Sequence, residues 1–166
     1  MEVRQAHGKD DGMKILDVSA GNRAIWFDKS HRDALYIDVR PEVKPNIVAD
    51  ARALPAEIAG PFDLIVFDPP HENFGASGNM VRNYGHWTHA QIRGIVEGTG
   101  KEAHRVATVH GLRALKWSEH SIRLKTVLEL LAPWWEPLFG HGVSHQQKGT
   151  SWVMLRRRAY PWELVA

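Results

Sequence analysis

Four aspartates close short apolar runs: Asp17 after "KIL", Asp38 after "ALYI", Asp50 after "NIVA" and Asp68 after "DLIVF". A carboxylate so placed accepts hydrogen bonds from hydroxyls, amines and cations. Asp38 lies 21 residues beyond Asp17. An acid about that far along, ending the second strand of an α/β unit, commonly accepts ribose hydroxyls. The spacing points to an adenosine-containing cofactor. Between the first two acids runs "SAGNR", residues 19–23, with Gly21 where the backbone must approach a ligand. A pyrophosphate-binding turn needs more glycine and bare amides at a helix start. Here Arg23 stands in place of a second glycine, and Asp17 would oppose a pyrophosphate. A cofactor with an amino-acid end suits this turn better. S-adenosylmethionine is such a molecule: its ammonium pairs with a carboxylate, and its own carboxylate with an amide or with Arg23. The fourth acid opens "DPPH", residues 68–71. Two prolines donate no backbone hydrogen bond and hold the chain in one shape, an odd ending for a buried strand.

These acids need elements to hold them on one rim. Residues 14–18, 34–39, 46–51 and 63–68 are apolar at nearly every position, the pattern of strands buried on both faces of a parallel sheet. Ligands of such sheets bind at the carboxyl ends of the strands, where all four aspartates fall. Residues 24–29 start a helix or an irregular helical turn. Residues 88–107 are helix-like, with Thr88 as N-cap, although Gly94, Gly98 and Gly100 weaken the pattern. Residues 112–117 form a strand. Residues 121–131 form a helix with apolar positions 124, 127, 128 and 131, capped by Ser121. Two last strands, about 135–139 and 151–156, are joined by a polar loop. The fold class is α/β. Residues 71–87 form a long glycine-rich loop, of a kind that usually carries function.

With 166 residues the chain has the size of one domain, residues 1–166, with 1–12 a polar, frayed lead. No apolar stretch approaches a membrane span and the N-terminus has no signal-peptide core, so a cytoplasmic location is expected. The absence of cysteine excludes disulfides, thiolate zinc sites and a cysteine nucleophile. A net charge of +2 permits a nucleic-acid partner without demanding one.

The ordered set "ILDVSAGNR", "YIDV", "IVADARALP" and "DLIVFDPPH" resembles the class I SAM-dependent methyltransferases. "DPPH" resembles the Asp-Pro-Pro-aromatic signature of enzymes that methylate adenine N6 or cytosine N4 in DNA. "WFDK" (26–29), "KW" (116–117) and "PLFGH" (137–141) with Lys148 and Trp152 are similar to small phage- and prophage-associated methyltransferase-like proteins. The likeness spans residues 13 to 157. It implies a Rossmann-like, mostly parallel seven-stranded sheet with helices on both faces and the last strand antiparallel.

It also implies roles. Asp17, Ser19, Gly21 and Asn22 would line the methionine end of S-adenosylmethionine, Asp38 would hold its ribose, and Asp50 with the Ala51 amide its adenine. Asp68 would accept hydrogen bonds from a substrate amine, with the Pro69 carbonyl as second acceptor and Pro70 keeping it rigid. An exocyclic amine is a poor nucleophile because its lone pair is conjugated with the ring. Two acceptors at fixed angles draw the nitrogen toward tetrahedral geometry, so catalysis is positioning and electrostatics, with Asp68 also a proton acceptor. His71 replaces the usual aromatic, and its charge would vary with pH. Tyr84 and Trp87 in the loop, and Lys116, are candidate substrate contacts. No metal site is expected. The partner expected is nucleic acid, DNA before RNA. Without a target-recognition domain, specificity is loose, or a partner or second copy supplies it, or the substrate is not duplex DNA. RNA, a nucleoside or a protein amide would serve the same clamp. A protein that binds the cofactor without methylating is the rival of another class.

Overall fold

The computed structural model describes residues 12–70, 87–140, 149–160 and 163. Seven strands follow in chain order: β1 (Ile15–Asp17), β2 (Ala34–Asp38), β3 (Ile47–Val48), β4 (Phe62–Phe67), β5 (Ala107–Ser118), β6 (Trp135–Gly140) and β7 (Thr150–Arg157). Helix α1 (His89–Val106) connects β4 to β5, and α2 (Leu124–Leu131) connects β5 to β6. The strands form one sheet in the order β3-β2-β1-β4-β5-β7-β6. Pairings from β3 across to β5 are parallel, and β7 runs antiparallel to both β5 and β6. This is the sheet expected, with β7 as its one reversed strand. Strand order runs outward in opposite directions from β1 and β4. The carboxyl ends of that pair flank the crevice where open α/β sheets bind ligands.

Alternation along the strands separates two faces. One carries Leu16, Ile37, Ile65, Phe67, Leu115, Trp117, Val153 and Leu155, all buried in a single core with Ile92, Val96, Ala103 and Val106 of α1 and Val127 and Leu131 of α2. Thr88 caps α1 through a capping box with Gln91, as its sequence position predicts. The glycines do not break this helix. At Gly100 a Cβ would stand 2.7 Å from a Leu131 methyl, so glycine is what lets α1 approach α2. Helix α2 begins at Leu124 rather than at 121, because the Glu119 carboxylate, not Ser121, accepts its first N–H at 2.8 Å.

Both described α-helices meet each other and cover this one face. On the other face, β1 and β2 are covered by residues 19–33, which run as successive turns without a helix. Helices on both faces are therefore not found among the described residues. Arg23 takes a left-handed φ of 54° and stops regular coiling there. The second face further along, over β5 and β7, carries Lys116, Met154 and the 41 % exposed Trp152.

Candidate active site

Asp17 ends β1, Asp38 ends β2, Asp50 lies two residues past β3, and Asp68 follows β4 directly. All four stand at the carboxyl edge of adjacent strands, as the spacing predicts.

Asp17 is fully buried. One carboxylate oxygen accepts the Ser19 N–H at 3.0 Å and the other accepts the Trp26 indole N–H at 2.7 Å. Burial pushes its carboxyl up to about 6, outweighing the two bonds it accepts, with the Asp68 and Asp38 charges adding to the rise. This carboxylate shapes the turn rather than reaching outward, which differs from the ammonium contact expected of it. Trp26 is the residue to which the sequence reading gave no role at the site. It packs edge-on against Tyr36, with ring centres 5.1 Å apart. Its one signal was its place in the "WFDK" stretch, residues 26–29.

Arg23 also turns away from the expected cofactor carboxylate. Its guanidinium lies 4.0 Å above the Tyr36 ring and donates to the Lys29 and Lys44 carbonyls, which ties the turn to the segment before β3. Gly21 has a φ of 48°, a left-handed conformation that favours glycine, and its N–H donates to Asp38 at 2.8 Å. A Cβ there would meet Arg40 Nη2 at 3.4 Å and the Ser19 carbonyl at 3.9 Å. Asn22 is exposed beside it.

Asp38 is saturated. One oxygen accepts from the Arg40 backbone N–H and Nε at 2.9 and 3.0 Å, the other from Gly21 and Arg40 Nη2 at 2.8 and 3.2 Å. Burial alone would raise its carboxyl, but the Arg40 bonds and the Gly21 amide together hold it below the ordinary value. Asp50 repeats the device: Arg52 donates from its backbone and guanidinium, with Nη2 at 2.6 Å, and lowers the carboxyl. Ala51 lies half-buried in the turn between them.

Asp68 is joined to both neighbours of β4. Its backbone N–H donates to the Ser19 hydroxyl at 2.7 Å, across to the β1 turn. Its Oδ2 accepts from Lys116 Nζ at 2.8 Å, across to β5. The register explains the second contact. Val66 pairs with Ala114, so Asp68 and Lys116 stand side by side two residues on, facing the same way. Pro69 is buried and Pro70 half-buried in the turn that follows. His71 and Tyr84 lie outside the described residues. Trp87 is half-buried against the core, which places it in packing rather than in the open. Arg156 and Arg157 form ion pairs with Glu136 and Glu163, and Arg158 donates to the Ala132 carbonyl. Among the described residues no group of His, Asp and Glu could hold a metal ion, and no helix is long and apolar enough to cross a membrane.

No known family's sequence pattern matches the chain, and neither does any curated protein. Solved structures do match its fold. A TehB-like SAM-dependent methyltransferase from Corynebacterium glutamicum superposes with a TM-score of 0.62 at 18% identity, covering 89% of this chain and 81% of that one. The N-methyltransferase NodS of Bradyrhizobium japonicum, in complex with S-adenosyl-L-homocysteine, gives 0.58 at 15% identity, over 87% and 78%. A 16S rRNA adenine N1-methyltransferase from Catenulisporales acidiphilia gives 0.55 at 16% identity, over 90% and 86%. The chain has the Rossmann-like fold of SAM-dependent methyltransferases.

Proposed function

We propose that this protein is a SAM-dependent methyltransferase that modifies the exocyclic amine of a nucleobase, with adenine N6 in DNA as the leading substrate. The observation that carries the reading is the 2.7 Å bond from the Asp68 N–H to the Ser19 hydroxyl. It couples the turn suited to the cofactor with the residue suited to the amine, so the two cannot drift apart.

The residues present fit S-adenosylmethionine. Gly21 takes a left-handed turn that a side chain would strain, and carboxylates stand where a ribose and an adenine amine need acceptors. Bound there, the cofactor supplies an electrophilic methyl group. Asp38 would take the ribose hydroxyls as the Arg40 side chain yields, since its lone pairs are all committed without a ligand. Asp50 and Ala51 would hold the adenine, and Ser19, Gly21 and Asn22 the amino-acid end. Asp17 works behind them, keeping the turn's shape through Ser19 and Trp26. Asp68 and the Pro69 carbonyl would accept the two N–H bonds of the substrate amine and localise its lone pair. Asp68 would also take the proton released at that nitrogen.

The partner on this reading is nucleic acid, DNA before RNA, with a specificity partner or a second copy narrowing the target. The test is calorimetric titration with S-adenosylmethionine and its demethylated product, followed by tritiated-methyl transfer to mixed DNA and RNA. Label in an adenine amine of DNA supports the proposal in full. Label in RNA changes the polymer, and binding without transfer favours a small-molecule or protein substrate, or the non-methylating binder. Absence of binding defeats the reading.

A further inference from the structure

We infer that Asp68, Lys116 and Trp152 form one recognition row for a flat substrate, in which Lys116 reads the acceptor beside the amine and Trp152 is the stacking platform. This rests on the base-amine reading above and names what the site recognises.

The row follows from register. Asp68 and Lys116 are side by side on β4 and β5, bonded at 2.8 Å. Lys116 pairs directly with Trp152 on antiparallel β7. Paired residues face the same side of a sheet, with Cβ atoms about 4.5–5.5 Å apart. Acid, ammonium and indole therefore cross three adjacent strands on one face, near the carboxyl edge of β4 and β5. Trp152 differs from the other tryptophans of the core. Trp117 and Trp135 are fully buried, and each donates its indole N–H to a backbone carbonyl, of Ile122 and Gly100 respectively. Trp134 is packed against that core. Trp152 lies on the opposite face and is 41 % exposed.

The chemistry of the row is specific. An acceptor and a donor one hydrogen bond apart complement an edge that presents a donor amine next to an acceptor. Adenine offers N6 beside N1 or N7, and cytosine offers N4 beside N3. A lone alkyl amine offers no acceptor for a further Lys116 N–H. Lys116 has three N–H donors, of which Asp68 takes one. A second, given to the ring nitrogen, fixes the base and covers its most nucleophilic ring atom, so the exocyclic amine is left to react. The aromatic face of Trp152 suits any base, because stacking is tolerant of sequence.

The probe is a six-nucleotide single-stranded DNA of adenines, titrated into protein saturated with S-adenosylhomocysteine. Its counterparts carry 1-deazaadenine or 7-deazaadenine. One deaza substitution is expected to weaken binding about tenfold in the native protein and to have no further effect in Lys116→Met. Trp152→Leu should weaken all three ligands alike, by about 5- to 100-fold, and Trp152→Phe should restore most of it. Unchanged S-adenosylhomocysteine affinity in each variant shows that the fold and cofactor site are intact. Equal binding of all three DNAs by the native protein overturns the role of Lys116. Full binding by Trp152→Leu overturns the platform. If the native protein binds none of the DNAs, the base reading itself fails and takes the row with it.

Discussion

Replacing Asp17 by asparagine tests the buried carboxylate at the centre of the turn. In the folded protein, burial raises this carboxyl from 3.8 to about 6. The sign follows from linkage. A folded value above the unfolded one contributes stability that is fully present below about pH 3.8 and is lost as pH rises through about 6. The shift of roughly 2.2 units, at about 1.36 kcal/mol each, amounts to about 3 kcal/mol in all. About 2 kcal/mol of this falls between pH 4.5 and 8, the remainder having gone at lower pH. Asparagine keeps the shape and carries no charge, so that pH-dependent loss disappears. It also turns an amide N–H₂ toward either the Ser19 N–H or the Trp26 indole N–H, two donors facing each other, at a pH-independent cost of about 1–2 kcal/mol. The assay is urea unfolding of both proteins at half-unit steps from pH 4.5 to 8. The stability of Asp17→Asn minus that of the native protein should climb by about 2 kcal/mol across the range and level off above pH 7. A flat difference curve would mean that Asp17 titrates normally, and the account of the turn as built on a buried charge would be wrong.

Asp38→Ala removes the acceptor shared by Gly21 and Arg40, and should weaken S-adenosylmethionine binding about 10- to 100-fold by calorimetry. Asp68→Asn should lower kcat of methyl transfer by about 10²–10⁴ while leaving cofactor affinity within about threefold, because the loss is confined to the substrate amine. Arg113 is fully buried, with burial bringing its guanidinium down to about 9 and with Nε and Nη2 finding no hydrogen-bond partner among the described residues. It is accompanied by the Phe67 and Trp135 rings at 4.4 and 5.5 Å. Arg113→Met should therefore raise stability by about 1–3 kcal/mol in denaturant unfolding. A loss of stability would show that the rings, or a polar partner outside the described residues, hold the charge firmly.

Much of this protein was legible in its sequence because periodicity and chain order are local properties. Strands buried on both faces are apolar throughout, so β1, β2 and β4 could be read directly, each with an aspartate at its end. The Thr88 cap and the edge position of Asp68 needed only a few neighbouring residues. What the sequence could not supply was direction and distance. Asp17 is a carboxylate at the expected place, yet only the packing of Trp26 and Ser19 around it turned it inward. Arg23 left the ligand side because the Lys29 and Lys44 carbonyls lie where the folded turn brings them. Gly100 looked like a weakness in α1 until the Leu131 methyl appeared against it. Trp152 was indistinguishable from the core tryptophans, because a strand's alternation does not say which face the helices will cover. Types and order of residues determined the fold and the four acids by themselves. Which side chains meet, such as Asp68 with Ser19 49 positions earlier and Lys116 48 positions later, was decided only by the register of strands far apart in the chain.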